Sequence, residues 1–171
     1  TNETVGIPSE AVKTLAENDA VESVSTTRLS VFMPGAGDIL PFETDLSVQS
    51  HETLQLVNVD EAQLQIYAPN LSAQDKQALK DGTGCLVKNP IAFSYGDTTV
   101  QQTDLTVGDT IQLGDRTLPV LGLIDTAITI NNDGFTNGVQ LIVNDEIYCS
   151  LLGNDSYSEV YPTLQDNADT D

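Results

Sequence analysis

A chain of 171 residues, 39% of them hydrophobic, can bury one sizeable core, or a core with a small lobe beside it. Six Lys and Arg stand against 26 Asp and Glu, for a formal net charge of -20, so phosphate backbones and anionic membrane surfaces are both repelled. The apolar residues are mainly Val, Leu and Ile, with 5% aromatics and no Trp, a supply that suits sheets and short helices.

The acidity reads first as the solubilising surface of a secreted domain; divalent-cation binding, a basic partner and a high-salt habitat are the alternatives. No run approaches the roughly 18 consecutive apolar residues of a membrane helix. The most apolar stretch, Leu118 to Ile130, contains Pro119, Asp125 and two Thr. The first ten residues, TNETVGIPSE, have no basic start, no apolar run and no initiator Met, which reads as the edge of a longer chain and not as a leader.

In chain order, Ser9 is placed to cap a first helix, with Glu10 in its first turn and Val12, Leu15 and Ala16 at helical spacing. A strand over 21–32 follows, and its broken alternation predicts a bulge near Ser25. Beyond a Pro34-to-Asp38 loop and a poorly patterned region to Glu52, strands are predicted at 53–59 and, from Leu64 and Ile66, at 63–67. Ser72 caps a helix to Lys80, with Asp75 in capping-box position and Gly82 just past its end. Cys85 to Lys88 is a short strand. Ile111 and Leu113, Gly114-Asp115, then Leu118, Val120 and Leu121 read as a hairpin. Turn signals occupy 131–134 and 137–138. A strand over 139–143, interrupted by Gln140, leads to a helix capped by Asn144, striped by Ile147, Leu151 and Leu152, and closed by Gly153. A last strand covers about 158–164, and 165–171 starts as a helix might and stops.

The strand-plus-helix pieces thus sit at the two ends and the β-rich part between them. The fold class is α+β: a sheet-and-helix lobe from residues 1–33 and 139–171, interrupted by a β-rich inserted lobe, 34–138. The two ends are expected to pack together, near 5–33 against 139–164.

No catalytic, cofactor-binding or metal site emerges. GxxxxGK[ST], GxGxxG and GxSxG patterns are absent, and Gly35 and Gly37 precede Asp38 but no helix. The single His, His51, cannot build a multi-His metal site and reads as a surface residue. Glu43 with Asp45, or Asp60 with Glu61, can be drawn as acid/base pairs, but so many carboxylates produce such pairs by chance. Asn131 to Asp133, with Asp125 upstream, resembles a calcium loop in composition only and reads as an exposed turn. Cys85 and Cys149 have no metal-ligand spacing; two buried free thiols are expected, and a disulfide is the alternative.

One stretch resembles a known family. Gly84-Cys85-Leu86-Val87, then Leu105-Thr106-Val107-Gly108-Asp109-Thr110-Ile111-Gln112-Leu113-Gly114, then Leu118-Pro119-Val120-Leu121-Gly122-Leu123-Ile124 resembles the extracytoplasmic domain of FtsX-like, MacB-type ABC-transporter permeases. Leu141 to Glu146 with Val160 to Leu164 is similar to the family's closing unit, Leu164 to Asp169 to its turn back to the membrane, and the first helix with Val21-Glu22-Ser23-Val24 to its opening. Residues 34–83 match nothing. Gly108-Asp109 and Gly122 read as architecture: a turn whose Asp bonds backbone, and a strand position where a side chain does not fit.

The resemblance implies a porter-like lobe built by both chain ends and a β-rich insertion. It further implies a non-catalytic domain on the extracytoplasmic face, working with the rest of the permease and its cytoplasmic ATPase and engaging a peptide, lipoprotein or partner protein outside the cell. A cell-surface adhesion or ligand-binding module is the alternative.

Overall fold

The computed structural model describes residues 6–34, 37–48, 52–90, 94–95, 98–99, 103–128, 138–153 and 155–164. Four helices, α1 (Ser9–Ala16), α2 (Glu61–Tyr67), α3 (Ala73–Asp81) and α4 (Asp145–Leu152), accompany nine strands: β1 (Val21–Phe32), β2 (Thr53–Val59), β3 (Cys85–Lys88), β4 (Ser94–Tyr95), β5 (Thr98–Thr99), β6 (Thr110–Leu113), β7 (Arg116–Leu123), β8 (Gly138–Ile142) and β9 (Glu159–Leu164). Seven strands form one mixed sheet in the order β6-β7-β3-β8-β2-β1-β9, and β4 and β5 pair separately. The fold is α+β. The β3–β7 and β2–β8 pairs are parallel and the other neighbours in the sheet are antiparallel.

The central strands are buried on both faces, which is why their sequences run apolar without a polar side. In β2, Leu54 and Leu56 enter one core and Val57 the other; in β8, Val139 and Leu141 oppose Ile142 in the same way. The first core gathers Phe42, Ile111, Leu113, Leu118, Ile147 and Tyr148 around these strands. The second gathers Leu79, Leu86, Ile124 and Ile128, with Leu64, Tyr67, Ala68 and Leu71 packed against it. Gln140, the residue that interrupts β8, faces Gln55 in register. Its amide donates to Gln55 Oε1 at 2.8 Å and to the Ile128 carbonyl at 2.7 Å, and its oxygen accepts from the Ile128 N–H at 2.8 Å. A buried polar pair is tolerated here because its hydrogen bonds are made. At Gly138 a Cβ would run into the Thr53 hydroxyl and carbonyl, so β8 can begin beside β2 only with glycine there.

The two ends do pack together: β1 pairs with β9, and Ile7 bridges Tyr157. The cuts at 33/34 and 138/139 fall on either side of a stretch whose first strand, β2, is hydrogen-bonded between β1 and β8.

Three local expectations are corrected. Residues 63–67 are not a strand but most of α2. Asp60 caps it, its Oδ1 accepting from Gln63 N at 2.9 Å, and Leu64, Tyr67 and Ala68 follow helical spacing onto the second core while Ile66 is 74% exposed. Ser9 does not cap α1: Pro8 holds that position with extended backbone, and Ser9 Oγ donates instead to Asp155 Oδ2 at 2.7 Å. The irregularity in β1 lies between Val21 and Ser23, at the end of its pairing with β9, and not at Ser25. The turn signals at 131–134 and at 137, and the tail 165–171, lie outside the described residues.

The caps read from sequence for α3 and α4 are in place. Ser72 Oγ accepts from Asp75 N at 3.1 Å and Asn144 Oδ1 from Ile147 N at 2.9 Å, while Gly82 and Gly153 close their helices in left-handed conformation.

Candidate functional site

Of the carboxylates that could be paired on paper, those of Asp60 and Asp45 carry structural duties. Asp60 Oδ2 accepts from Thr26 N at 2.8 Å, so this one side chain caps α2 and pins it to β1. Asp45 Oδ1 accepts from Gln112 N at 2.8 Å and the Glu43 carbonyl from Gly114 N at 2.7 Å. Together with the Thr44–Leu113 bridge, these bonds lay the 40–48 segment along β6 and cover the open edge of the sheet. Asp109 Oδ2 accepts from Thr106 N at 2.9 Å, so the Gly108-Asp109 turn does bond backbone. Asp38 Oδ2 accepts from Met33 N at 2.7 Å and closes the loop after β1. Among the described residues no three His, Cys, Asp or Glu side chains are grouped to hold a metal ion. His51 and Asn131 to Asp133 lie outside the described residues.

Both cysteines are free thiols. Cys85 is fully buried in β3, and burial pushes its pKa up to about 12. Cys149, half-buried on α4, is also raised, first by burial and then against the opposing pull of Arg28. Neither thiol has the lowered pKa of a reactive cysteine.

The densest polar cluster surrounds Arg28, a residue that carries no motif and stands out only as a cation inside a strand. It is 4% exposed. Its Nη1 donates to Asn58 Oδ1 at 2.8 Å and to Asp145 Oδ1 at 3.3 Å, its Nε and Nη2 donate to the Asp155 carbonyl at 3.2 and 3.0 Å, and its guanidinium lies 3.8 Å from the Tyr157 ring centre. Asn58 in turn donates to the Val143 carbonyl at 3.0 Å. Four hydrogen bonds from the fixed guanidinium fork thus tie β1, β2, the start of α4 and the α4–β9 connection together. Every contact of Arg28 is internal, so it acts as a structural clamp.

Among the described residues, clefts open at the surface in two places of similar size. The first, about 450 Å³, lies between Leu40 to Glu43, the β6–β7 turn and the last turns of α4, and its one cation, Arg116, is held by Glu146 at 2.8 Å. The second, about 440 Å³, lies between the α2–α3 connection and the end of β7. Leu71, Leu86, Leu121 and Leu123 line it together with Asp75 and Asp125. Gly122 is there too, and a Cβ on it would press Leu71 Cδ1 at 3.2 Å, so this strand position is indeed tight. Of these lining residues Asp75, Asp125 and Gly122 stand out in sequence, and the leucines read as ordinary apolar positions.

The fold is of the type found in the extracytoplasmic domains of ABC-transporter permeases. The extracellular domain of the noncanonic ABC-type transporter YknZ from Gram-positive bacteria is similar, with a TM-score of 0.54 at 11% identity over 95% of this chain and 75% of that one. The periplasmic region of MacB from Actinobacillus actinomycetemcomitans is similar with a TM-score of 0.50, again at 11% identity, over 98% of this chain and 69% of that one. No family model matches the sequence, and none of the curated proteins does. At such identity the likeness is one of fold.

Proposed function

We propose that this chain is the extracytoplasmic domain of an FtsX-like, MacB-type ABC-transporter permease. In this reading it is non-catalytic, lies on the outer face of the membrane, and engages a substrate or partner protein there while membrane helices couple it to a cytoplasmic ATPase. The observation that carries the reading is the fold shared with the YknZ extracellular domain over 95% of the chain. Ile7 bridges Tyr157 and β9 lines β1, so the first and last described segments share one edge of the sheet. Residues 1–33 and 139–171 would then form the porter-like part and 34–138 the insertion, with motion passing through the seam where β2 is bonded between β1 and β8. No comparison favours an adhesion module.

The test is the complete gene product, expressed with the ATPase encoded beside it and extracted in detergent. The reading expects apolar runs of about 20 residues in the flanking sequence, and an ATPase that copurifies with the membrane protein. A gene with no such run on either side would overturn it.

A further inference from the structure

We propose that Asn70, in the turn between α2 and α3, is the acceptor of an N-linked glycan. This goes beyond the reading above and rests on it only for the side of the membrane, since such glycans are attached outside the cytoplasm.

Asn70-Leu71-Ser72 has the acceptor pattern: an asparagine, a residue other than proline, and a hydroxyl two positions on. So short a pattern recurs by chance, and it is the placement of Asn70 that singles it out. The Leu71 N–H donates to the Ala68 carbonyl at 3.3 Å, which makes Pro69 and Asn70 the central residues of a turn. Leu71 packs against the second core, where a Cβ on Gly122 would lie 3.2 Å from its Cδ1, while Pro69 and Asn70 are exposed. The other described asparagines are committed to the fold. Asn18 Oδ1 accepts from Ala20 N at 2.9 Å, and Asn58 joins Arg28 to the Val143 carbonyl. Asn89 bonds both the N–H and the carbonyl of Leu105, and Asn144 caps α4. Among these asparagines Asn70 is the one whose side-chain amide makes no hydrogen bond. An amide that supports no structure, in a surface turn, can carry a sugar without disturbing the fold. The same pattern occurs at Asn2-Glu3-Thr4 and Asn154-Asp155-Ser156, whose asparagines lie outside the described residues.

The reaction class is glycosyl transfer from an oligosaccharide linked to a polyprenyl phosphate or pyrophosphate. Asn70 Nδ2 bonds to the anomeric carbon as the bond from that carbon to the phosphate oxygen breaks. The polyprenyl carrier leaves with the electron pair, and the amide gives up one proton. Asn70 is among the residues lining the second cleft, so the glycan would stand at its mouth.

For the test, the parent protein is isolated from the membranes of its own cells and cut with a protease specific for Asp and Glu. The peptide from Ala62 to Asp75 holds Asn70 as its one asparagine. It is expected to carry a glycan mass that fragmentation places on Asn70. Asn70→Gln and Ser72→Ala should each abolish this glycoform, and Ser72→Thr should keep it, because a hydroxyl remains. Ser72→Ala also removes the acceptor that caps α3, at Asp75 N. Asn70→Gln leaves that cap in place, so loss of the pattern is separated from loss of stability. An unmodified peptide, a mass on Ser72, or a glycoform that survives Asn70→Gln would each overturn the acceptor. The flanking apolar runs are read from the gene itself. A bare Asn70 in a protein that has those runs overturns the glycan and leaves the permease reading standing, whereas a gene without them overturns the permease reading.

Discussion

The two faces of the sheet are covered unequally. Against the face that carries α4, fourteen buried residues among those described form a continuous core, closed by Ile147 and Tyr148 from the helix and by Phe42 from the segment along β6. Against the opposite face six are buried, α2 contributes no fully buried residue, and α3 contributes Leu79 alone. Helices of seven and nine residues cover this face of a seven-stranded sheet only thinly. The first face therefore carries more of the burial that keeps the molecule folded.

Paired truncations sharpen this contrast most. Leu141→Ala empties a fully buried site on the α4 face and should cost about 3 kcal/mol, as large-to-small changes in well-packed cores do. Leu64→Ala, half-buried on the inner side of α2, should cost about 1 kcal/mol because solvent already reaches the site. Urea unfolding of both variants is the measurement, and equal losses would break the comparison.

Arg28→Met tests whether the polar end of the α4 face is as firm as its apolar centre. It removes the guanidinium but keeps much of its apolar stem. Asn58 Oδ1 and the Asp155 carbonyl lose their donors, and the expected cost is about 2 kcal/mol. Asp145 is 77% exposed and is rehydrated easily, so the full penalty of a broken buried ion pair does not apply. Amide exchange should rise first in the 155–158 connection; uniform exchange across the sheet would mean that Arg28 is no clamp.

Alkaline titration probes the same core through Cys85. Its folded pKa, about 12, lies above the usual thiol value, so the folded state holds its proton more tightly than the unfolded chain does. The associated stability is whole below about pH 9 and is lost as pH rises toward 12, by at most about 1.4 kcal/mol per pH unit. Melts between pH 8 and 10.5 should show this slope, and Cys85→Ala should flatten it. In the native protein a thiol reagent should label Cys149 and leave Cys85 until unfolding.

The smallest effect is expected at the caps. Asn144→Ala removes the acceptor for Ile147 N and should cost about 1 kcal/mol, and Ser72→Ala should cost about as much at α3. A thermal shift for Ser72→Ala well above that for Asn144→Ala would mean that the thinly covered face depends on its helices more than its burial suggests.

Elements whose signals are local were legible in the sequence. A cap residue, a first-turn acid and a terminal glycine lie within one helix, so Ser72 to Gly82 and Asn144 to Gly153 could be read directly. The β6–β7 hairpin was as plain, because Gly114-Asp115 and the alternating Ile111, Leu113, Leu118 and Val120 are near neighbours in the chain. Gln63 to Tyr67 was decided elsewhere. Leu64 and Ile66 satisfy a strand's alternation, while Leu64, Tyr67 and Ala68 satisfy a helix's, and seven residues are too few to separate the two periods. The choice came from Asp60, whose carboxylate serves Gln63 N and Thr26 N together, and from a second core that had room for one side of a helix. Cys85 and Cys149 were legible as free thiols, but how far each is buried depended on the sheet. The pairing of β2 with β8 and the burial of Arg28 left no local trace. Each joins residues dozens of positions apart, and hydrophobic pattern records only that a side chain is apolar, not whether another element arrives to cover it.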